Sequence, residues 1–299
     1  MKAKLPKKLQ KGDILGIIAP ASPFERKKFE KGIEEVKKGF FEVVFGSHLY
    51  DEVGYLAGLD ADRAKDLIGF FKDPQINGIF CARGGYGTLR LLEILDYEVI
   101  LKNSTIICGY SDITALLLAI WKKTNMITFH GPMITSFSKM SATEQKAFWH
   151  FWKEGQFEIK GQNWKIIQEG SAEGTLIGGN LTVLCSLLGT PYFPDTKNAI
   201  LFLEDSGEAL YRIDRLLTQL KLVGVLDSVS AVLLGNFSAG PTPEELRSLI
   251  LDLFAGMKYP IVTNFSVGHE GENHIMPIGA RVRLNTKTKR LWAESAVLQ

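Results

Sequence analysis

Short apolar runs alternate with amphipathic stretches along most of this 299-residue chain. Residues 14–19 (ILGIIA) form a buried-strand pattern that Pro20 stops. Ser22 and Pro23 then predict a helix over 22–38, with serine as its cap and proline in its first turn. A short strand is expected at 41–45. A helix over 60–71 follows, its apolar face made by Ala64, Leu67, Ile68 and Phe71. The strand at 77–82 runs into Arg83, Gly84, Gly85, Tyr86, Gly87 and Thr88, and a helix bearing Leu89, Leu91, Leu92 and Ile94 comes next. Residues 104–108 (STIIC) predict another strand. It turns at Gly109, Tyr110, Ser111 and Asp112 into an apolar helix, and a strand at 126–129 ends at His130. This alternation predicts the α/β class with a doubly wound parallel sheet.

The pattern changes over 141–169, where Phe148, Trp149, Phe151, Trp152 and Trp164 crowd a charged segment. This stretch is expected to connect two domains, with its aromatic rings packing across the seam. The domains are then 1–140, an inter-domain connection at 141–170, and 171–299. In the second half, 174–182 looks like a glycine corner entering a helix over 181–188. A buried strand at 199–204 ends on Glu204. A helix over 211–222, a strand at 229–234, a helix over 243–254 and a strand at 261–267 lead to Gly268 and His269. The tail, 280–294, alternates around a turn at 285–289 and predicts an exposed hairpin, which gives this domain a β-rich end.

Composition narrows the function. A net charge of +2 gives no electrostatic argument for a nucleic-acid partner. The three cysteines, Cys81, Cys108 and Cys185, are too far apart for a C-x-x-C motif and are expected as buried free thiols. No apolar run reaches the length of a membrane span, and the basic first 13 residues lack the core of a secretion signal. A cytoplasmic protein is expected.

The candidate chemistry lies just beyond strand ends, where loops of open α/β sheets converge on ligands. Ser111 stands on a strand-to-helix corner. Such a corner pushes a hydroxyl clear of the sheet, beside the free N–H groups of a helix start. It departs from the hydrolase elbow G-x-S-x-G at Ile113, and Ser111 or Asp112 could equally be a plain N-cap. Glu204 and His269 would supply the acid and base that a serine nucleophile needs. Asp205 and Glu208 compete as the acid, and His130 as the base. His269, Glu272 and His274 could instead hold a metal, but all three lie on one loop without helical spacing or a cysteine partner. Arg83–Gly87 could cradle an anion, or supply a Gly85 N–H that joins the Asp112 N–H as an oxyanion hole. A non-catalytic binder that uses the corner glycines as an anion cradle, for a nucleotide or a sugar-peptide, is the remaining alternative.

Seven segments in order resemble the LD-carboxypeptidase family of serine peptidases. They are 17–22 (IIAPAS), 55–63 (YLAGLDADR), 82–87 (ARGGYG), 109–114 (GYSDIT), 178–181 (GGNL), 203–208 (LEDSGE) with 211–215 (YRIDR), and 268–269 (GH) before 277–279 (PIG). The resemblance implies a flavodoxin-like N-terminal domain joined to a C-terminal domain, with the site at their junction. It implies Ser111 as nucleophile, His269 as base and Glu204 as the acid, an oxyanion hole from the backbone of Gly85 and Asp112, no metal or other cofactor, and a homodimer. The implied substrates are cytoplasmic murein tetrapeptides, cut between the L-centre of the third residue and terminal D-Ala. The family's microcin C branch acts on acyl-sulfamoyl adenylates, but the short loop after Glu204 favours the peptide. A terminal carboxylate needs a cation. Arg83 and Arg212 are candidates for it, and Tyr86 is a further substrate contact.

Overall fold

The computed structural model describes residues 3–299. The chain divides into two units. The first takes the chain through Phe157 together with Ile275–Gly279 and Ser295–Gln299, and the second takes Glu158–His274 and Ala280–Glu294.

The first unit is built on a six-stranded sheet in the order Glu42–Phe45, Ile14–Ile18, Ile76–Cys81, Ile106–Gly109, Thr128–His130, Met276–Ile278. The first five strands are parallel, in the 2-1-3-4-5 order of a flavodoxin-like sheet. Met276–Ile278 closes the edge antiparallel to Thr128–His130. Helix Ile113–Thr124 is apolar all round because every side chain from Ile113 to Ile120 is buried, and it stops at Asn125 in the left-handed conformation. The segment expected as a connection contains helix Ala142–Glu154, which opens with a capping box between Ser141 and Glu144. Its Phe148, Trp149 and Trp152 are buried against Phe41, Phe80, Phe129 and Phe137, so these rings are core of the first unit rather than a seam. Trp164 packs on Phe265 within the second unit.

Two helix starts differ from expectation. The first helix is Arg26–Lys38, with Glu25 at the N-cap position making no side-chain cap, and Ser22 lies outside it. After the glycine loop comes only a 3-10 turn, Thr88–Leu91, because the buried Thr88 is tied to Asp112.

The second unit carries an eight-stranded sheet in the order Glu158–Lys160, Arg290–Trp292, Arg281–Asn285, Ser171–Asn180, Ile200–Ser206, Ala231–Ser238, Ile261–Thr263, Lys165–Gln168. The four strands from Ser171–Asn180 to Ile261–Thr263 are parallel, and the flanking ones antiparallel. The expected glycine corner at 174–182 is therefore a ten-residue strand, followed by the short helix Leu181–Ser186. Its glycines admit close backbone approach: a Cβ on Gly178 would lie 1.8 Å from the Phe202 carbonyl oxygen. The tail hairpin is not a free ribbon. Val282, Leu284 and Leu291 are buried, and Arg281–Asn285 pairs with Ser171–Asn180.

Candidate active site

In the first unit, strand Ile106–Gly109 and helix Ile113–Thr124 are separated by three residues. The chain can reverse that sharply only because Ser111 adopts φ 64°, in the left-handed region that L-residues other than glycine, asparagine and aspartate avoid. Strain held at a strand-to-helix turn is characteristic of functional sites. The departure from G-x-S-x-G has a steric reason. A Cβ on Gly109 would come within 2.8 Å of the Ile113 side chain, so the glycine before the serine makes room for the isoleucine after it. Capping does not account for the corner. The helix start has no side-chain cap, and the Asp112 carboxylate instead accepts the Thr88 N–H at 2.9 Å. Burial pushes the Asp112 carboxyl up, and hydrogen bonds from Thr88 and Gly87 counter it.

The loop 83–88 lies against this corner. A Cβ on Gly84 would sit 3.0 Å from the Ser111 Cβ and 3.2 Å from its Oγ. Gly85 has φ 109°, and a Cβ there would meet the Ser22 hydroxyl at 2.4 Å. Ser22 holds the peptides on both sides of Gly85: its N–H donates to the Gly84 carbonyl at 3.2 Å, and its Oγ accepts the Tyr86 N–H at 3.1 Å. This role of Ser22 was not legible in the sequence, where Ser22–Pro23 had the pattern of a helix start. Tyr86 is exposed beside Tyr55, with ring centroids 5.7 Å apart, and Arg83 donates to the Pro23 carbonyl at 2.7 Å. His130 is fully buried, in register with Gly109, and its ring lies 5.8 Å from that of Tyr110.

In the second unit, Glu204 and His269 come together across 65 residues of sequence. Glu204 is fully buried, and its Oε2 is 2.7 Å from Nδ1 of His269, whose side chain keeps 23% exposure. Gly268 lets the loop close on the carboxylate, since a Cβ there would stand 3.2 Å from Oε2. Burial opposes the imidazolium. The Glu204 hydrogen bond and charge, with Asp205 behind them, outweigh it and hold the His269 proton above the ordinary imidazole range. Burial pushes the Glu204 carboxyl up, and His269 pulls it back.

The competing acids have other partners. Asp205 accepts from Asn180, Ser206 and both the N–H and hydroxyl of Thr182, and so satisfies a free N–H in the first turn of helix Leu181–Ser186, whose N-cap is Asn180. Glu208 faces Arg212 at 3.5 Å. Nor does the His269 loop gather metal donors: Nδ1 of His274 faces Glu272 at 3.6 Å, while Nδ1 of His269 faces Glu204. Among the described residues, metal-capable atoms cluster only at His48, Asp51 and Asp62, where the imidazole is hydrogen-bonded to Asp51 at 2.9 Å.

A flavodoxin-like sheet with a strained serine corner, and a second sheet with a buried glutamate–histidine pair, define a two-unit α/β protein. The chain belongs to the LD-carboxypeptidase family. The model of that family's N-terminal domain matches residues 15–131, and that of its C-terminal domain matches 173–284. It is 36% identical to the "Probable murein peptide carboxypeptidase" of Bacillus subtilis, over 98% of this chain and 95% of that protein. It is 31% identical to the "Murein tetrapeptide carboxypeptidase" of Pseudomonas aeruginosa, over 89% and 91% of the two chains. The solved structure of MccF in complex with glutamyl sulfamoyl guanosine superimposes with a TM-score of 0.92 at 26% identity, covering 99% of each chain.

Proposed function

We propose that this protein is a serine LD-carboxypeptidase that removes terminal D-Ala from murein tetrapeptides, cutting after the L-centre of the third residue. The observation that supports it most is Ser111, strained at φ 64° on a strand-to-helix turn against the loop 83–88. The Ser111 hydroxyl attacks the scissile carbonyl carbon while His269 takes its proton through Nε2. Glu204, bonded to Nδ1, orients the ring and sustains the imidazolium. The backbone N–H groups of Gly85 and Asp112 receive the charge that forms on the carbonyl oxygen. Collapse breaks the C–N bond, and His269 passes its proton to the departing D-Ala amine. His269 then deprotonates a water that hydrolyses the acyl-serine, and the proton returns to Ser111.

Ser111, Gly85 and Asp112 belong to the first unit, and Glu204 and His269 to the second. Arg83 is the better partner for the terminal carboxylate. It shares a loop with Gly84, which lies against Ser111, whereas Arg212 is drawn to Glu208. Tyr86, exposed two residues before Thr88, offers a ring face to the peptide. The names carried by the Bacillus and Pseudomonas relatives support the murein substrate. A homodimer working in the cytoplasm completes the reading, and light scattering of the purified chain tests the dimer.

The decisive assay is D-Ala release from a murein tetrapeptide and from its pentapeptide, under chelator, with wild type and Ser111→Ala compared. Release from the tetrapeptide alone is expected, reduced by at least about 10⁴-fold in the variant. Retained turnover in Ser111→Ala would end the proposal. The likeness to MccF favours a second reading, hydrolysis of an acyl-sulfamoyl nucleoside. Cleavage of that compound without any D-Ala release would select it.

A further inference from the structure

The segment 55–63 (YLAGLDADR) is left without a role by the proposed chemistry. It leads into helix Asp60–Lys72, whose first turn holds Asp60 and Arg63. Arg63 is 2% exposed, although a guanidinium is seldom buried unless its donors are matched. Its Nη1 donates to the Pro20 carbonyl and, at 3.2 Å, to the Gly87 carbonyl. Its Nη2 pairs with the Asp60 carboxylate, which also accepts Nε of Arg90 at 2.9 and 3.0 Å. Nε of Arg63 meets no acceptor among the described residues. A buried guanidinium with an unmet donor, paired to a carboxylate that is itself partly exposed, is a poor source of stability. What Arg63 contributes is the geometry its planar fork imposes on its partners.

Of those partners, Gly87 lies at the far end of the loop that carries Gly85, and Pro20 leads into Ser22. The Gly87 peptides are gripped from both sides: the carbonyl accepts from Arg63, and the N–H donates to the buried Asp112 carboxylate. The next N–H, that of Thr88, reaches the same carboxylate at 2.9 Å. Contact at Gly87 is tight, since a Cβ there would stand 2.7 Å from Nη1 of Arg63. A buried cation and a buried anion thus hold the Gly87–Thr88 end of the loop between them, and Ser22, two residues beyond the Pro20 carbonyl that Arg63 holds, fixes Gly84 and Tyr86.

We propose that Arg63 is a positioning residue for the hydrolysis, one that locks the loop 84–88 so that the Gly85 N–H is aimed before substrate arrives. The role rests on the serine-hydrolase reading. Preorganised donors accelerate a reaction because they need no reorganisation as charge forms.

Arg63→Lys keeps the charge and removes the fork. Its kcat for D-Ala release is expected to fall about 10²-fold, the scale of a small misplacement of reacting groups, while KM stays within about twofold. Amide exchange over 84–88 should accelerate about tenfold or more, with helix Ile113–Thr124 unchanged. Asp60→Asn, at a partly exposed position, provides a milder variant if the lysine protein does not fold, with a loss of about threefold in kcat and the same local exchange signature. Unchanged exchange at 84–88, acceleration spread over the whole unit, or a loosened loop with unchanged kcat would each overturn the proposal. A wild-type protein that releases no D-Ala defeats the functional reading instead, and the exchange pattern then still decides whether Arg63 locks the loop.

Discussion

The Ser111 corner and the Glu204–His269 pair are made by different physics. The corner is a steric construction: a left-handed non-glycine residue, a glycine at 109 that accommodates Ile113, and a glycine at 84 against which the serine rests. The pair is electrostatic: a carboxylate with no exposure, one imidazole at 2.7 Å, and a proton held above the ordinary imidazole range. The first depends on what is absent, namely side chains that would collide. The second depends on what is present and desolvated. The two should therefore fail in different ways when altered.

The largest effect is expected on the electrostatic side. Glu204→Gln keeps the shape but loses the charge, and hydrolysis should drop by about 10³- to 10⁴-fold, as when a triad histidine loses its carboxylate. The pH profile of the residual kcat/KM sharpens the point. Under the proposed mechanism the base must be neutral, so the acid limb is expected to follow the His269 pKa. Burial depresses that pKa, and Glu204 with Asp205 together raise it beyond what burial takes away, so removal of the Glu204 charge should move the acid limb to lower pH. An unmoved limb, with activity still traced to His269, would break the electrostatic account of the pair.

On the steric side, Gly109→Ala should destabilise the fold by about 1–3 kcal/mol through collision with Ile113, read from chemical denaturation. The penalty should shrink in an Ile113→Ala background, because the clash partner is gone. Equal penalties in both backgrounds would mean that the glycine serves some other purpose. The smallest effect is expected at the serine itself. Ser111→Gly should be more stable than Ser111→Ala by about 1 kcal/mol, since only glycine adopts φ 64° without strain. A more stable alanine variant would deny that strain is stored at the corner.

The elements that proved legible were those whose pattern is local. Strand Ile76–Cys81 with its glycine loop, helix Asp60–Lys72 and strand Ile200–Ser206 ending in acids all announce themselves in contiguous residues. The misreadings share one cause. Ser22–Pro23 has the composition of a helix start, but its polar atoms serve Gly84 and Tyr86 some sixty residues away. Glycines 174 and 178 have the composition of a turn, but they let a strand come close to its neighbours. The aromatic residues at 148–152 have helical spacing, but their partners, Phe80, Phe129 and Phe137, come from three other elements, so which core they join was not legible.

The strand–helix alternation of the first half, the serine at a corner and the candidacy of the acid and histidine were determined by the sequence alone, because hydrophobic period and turn chemistry act over a few residues. Glu204, expected just beyond a strand, lies inside Ile200–Ser206. Choosing among Glu204, Asp205 and Glu208 was beyond the sequence. Only the tertiary structure decided that Asp205 satisfies a free N–H in the first turn of a helix, that Glu208 faces Arg212, and that Glu204 meets His269. The burial of Arg63 beneath the glycine loop was decided there too. Hydrogen bonds and desolvation are set by whatever atoms the fold brings within about 3 Å, and those atoms come from any part of the chain.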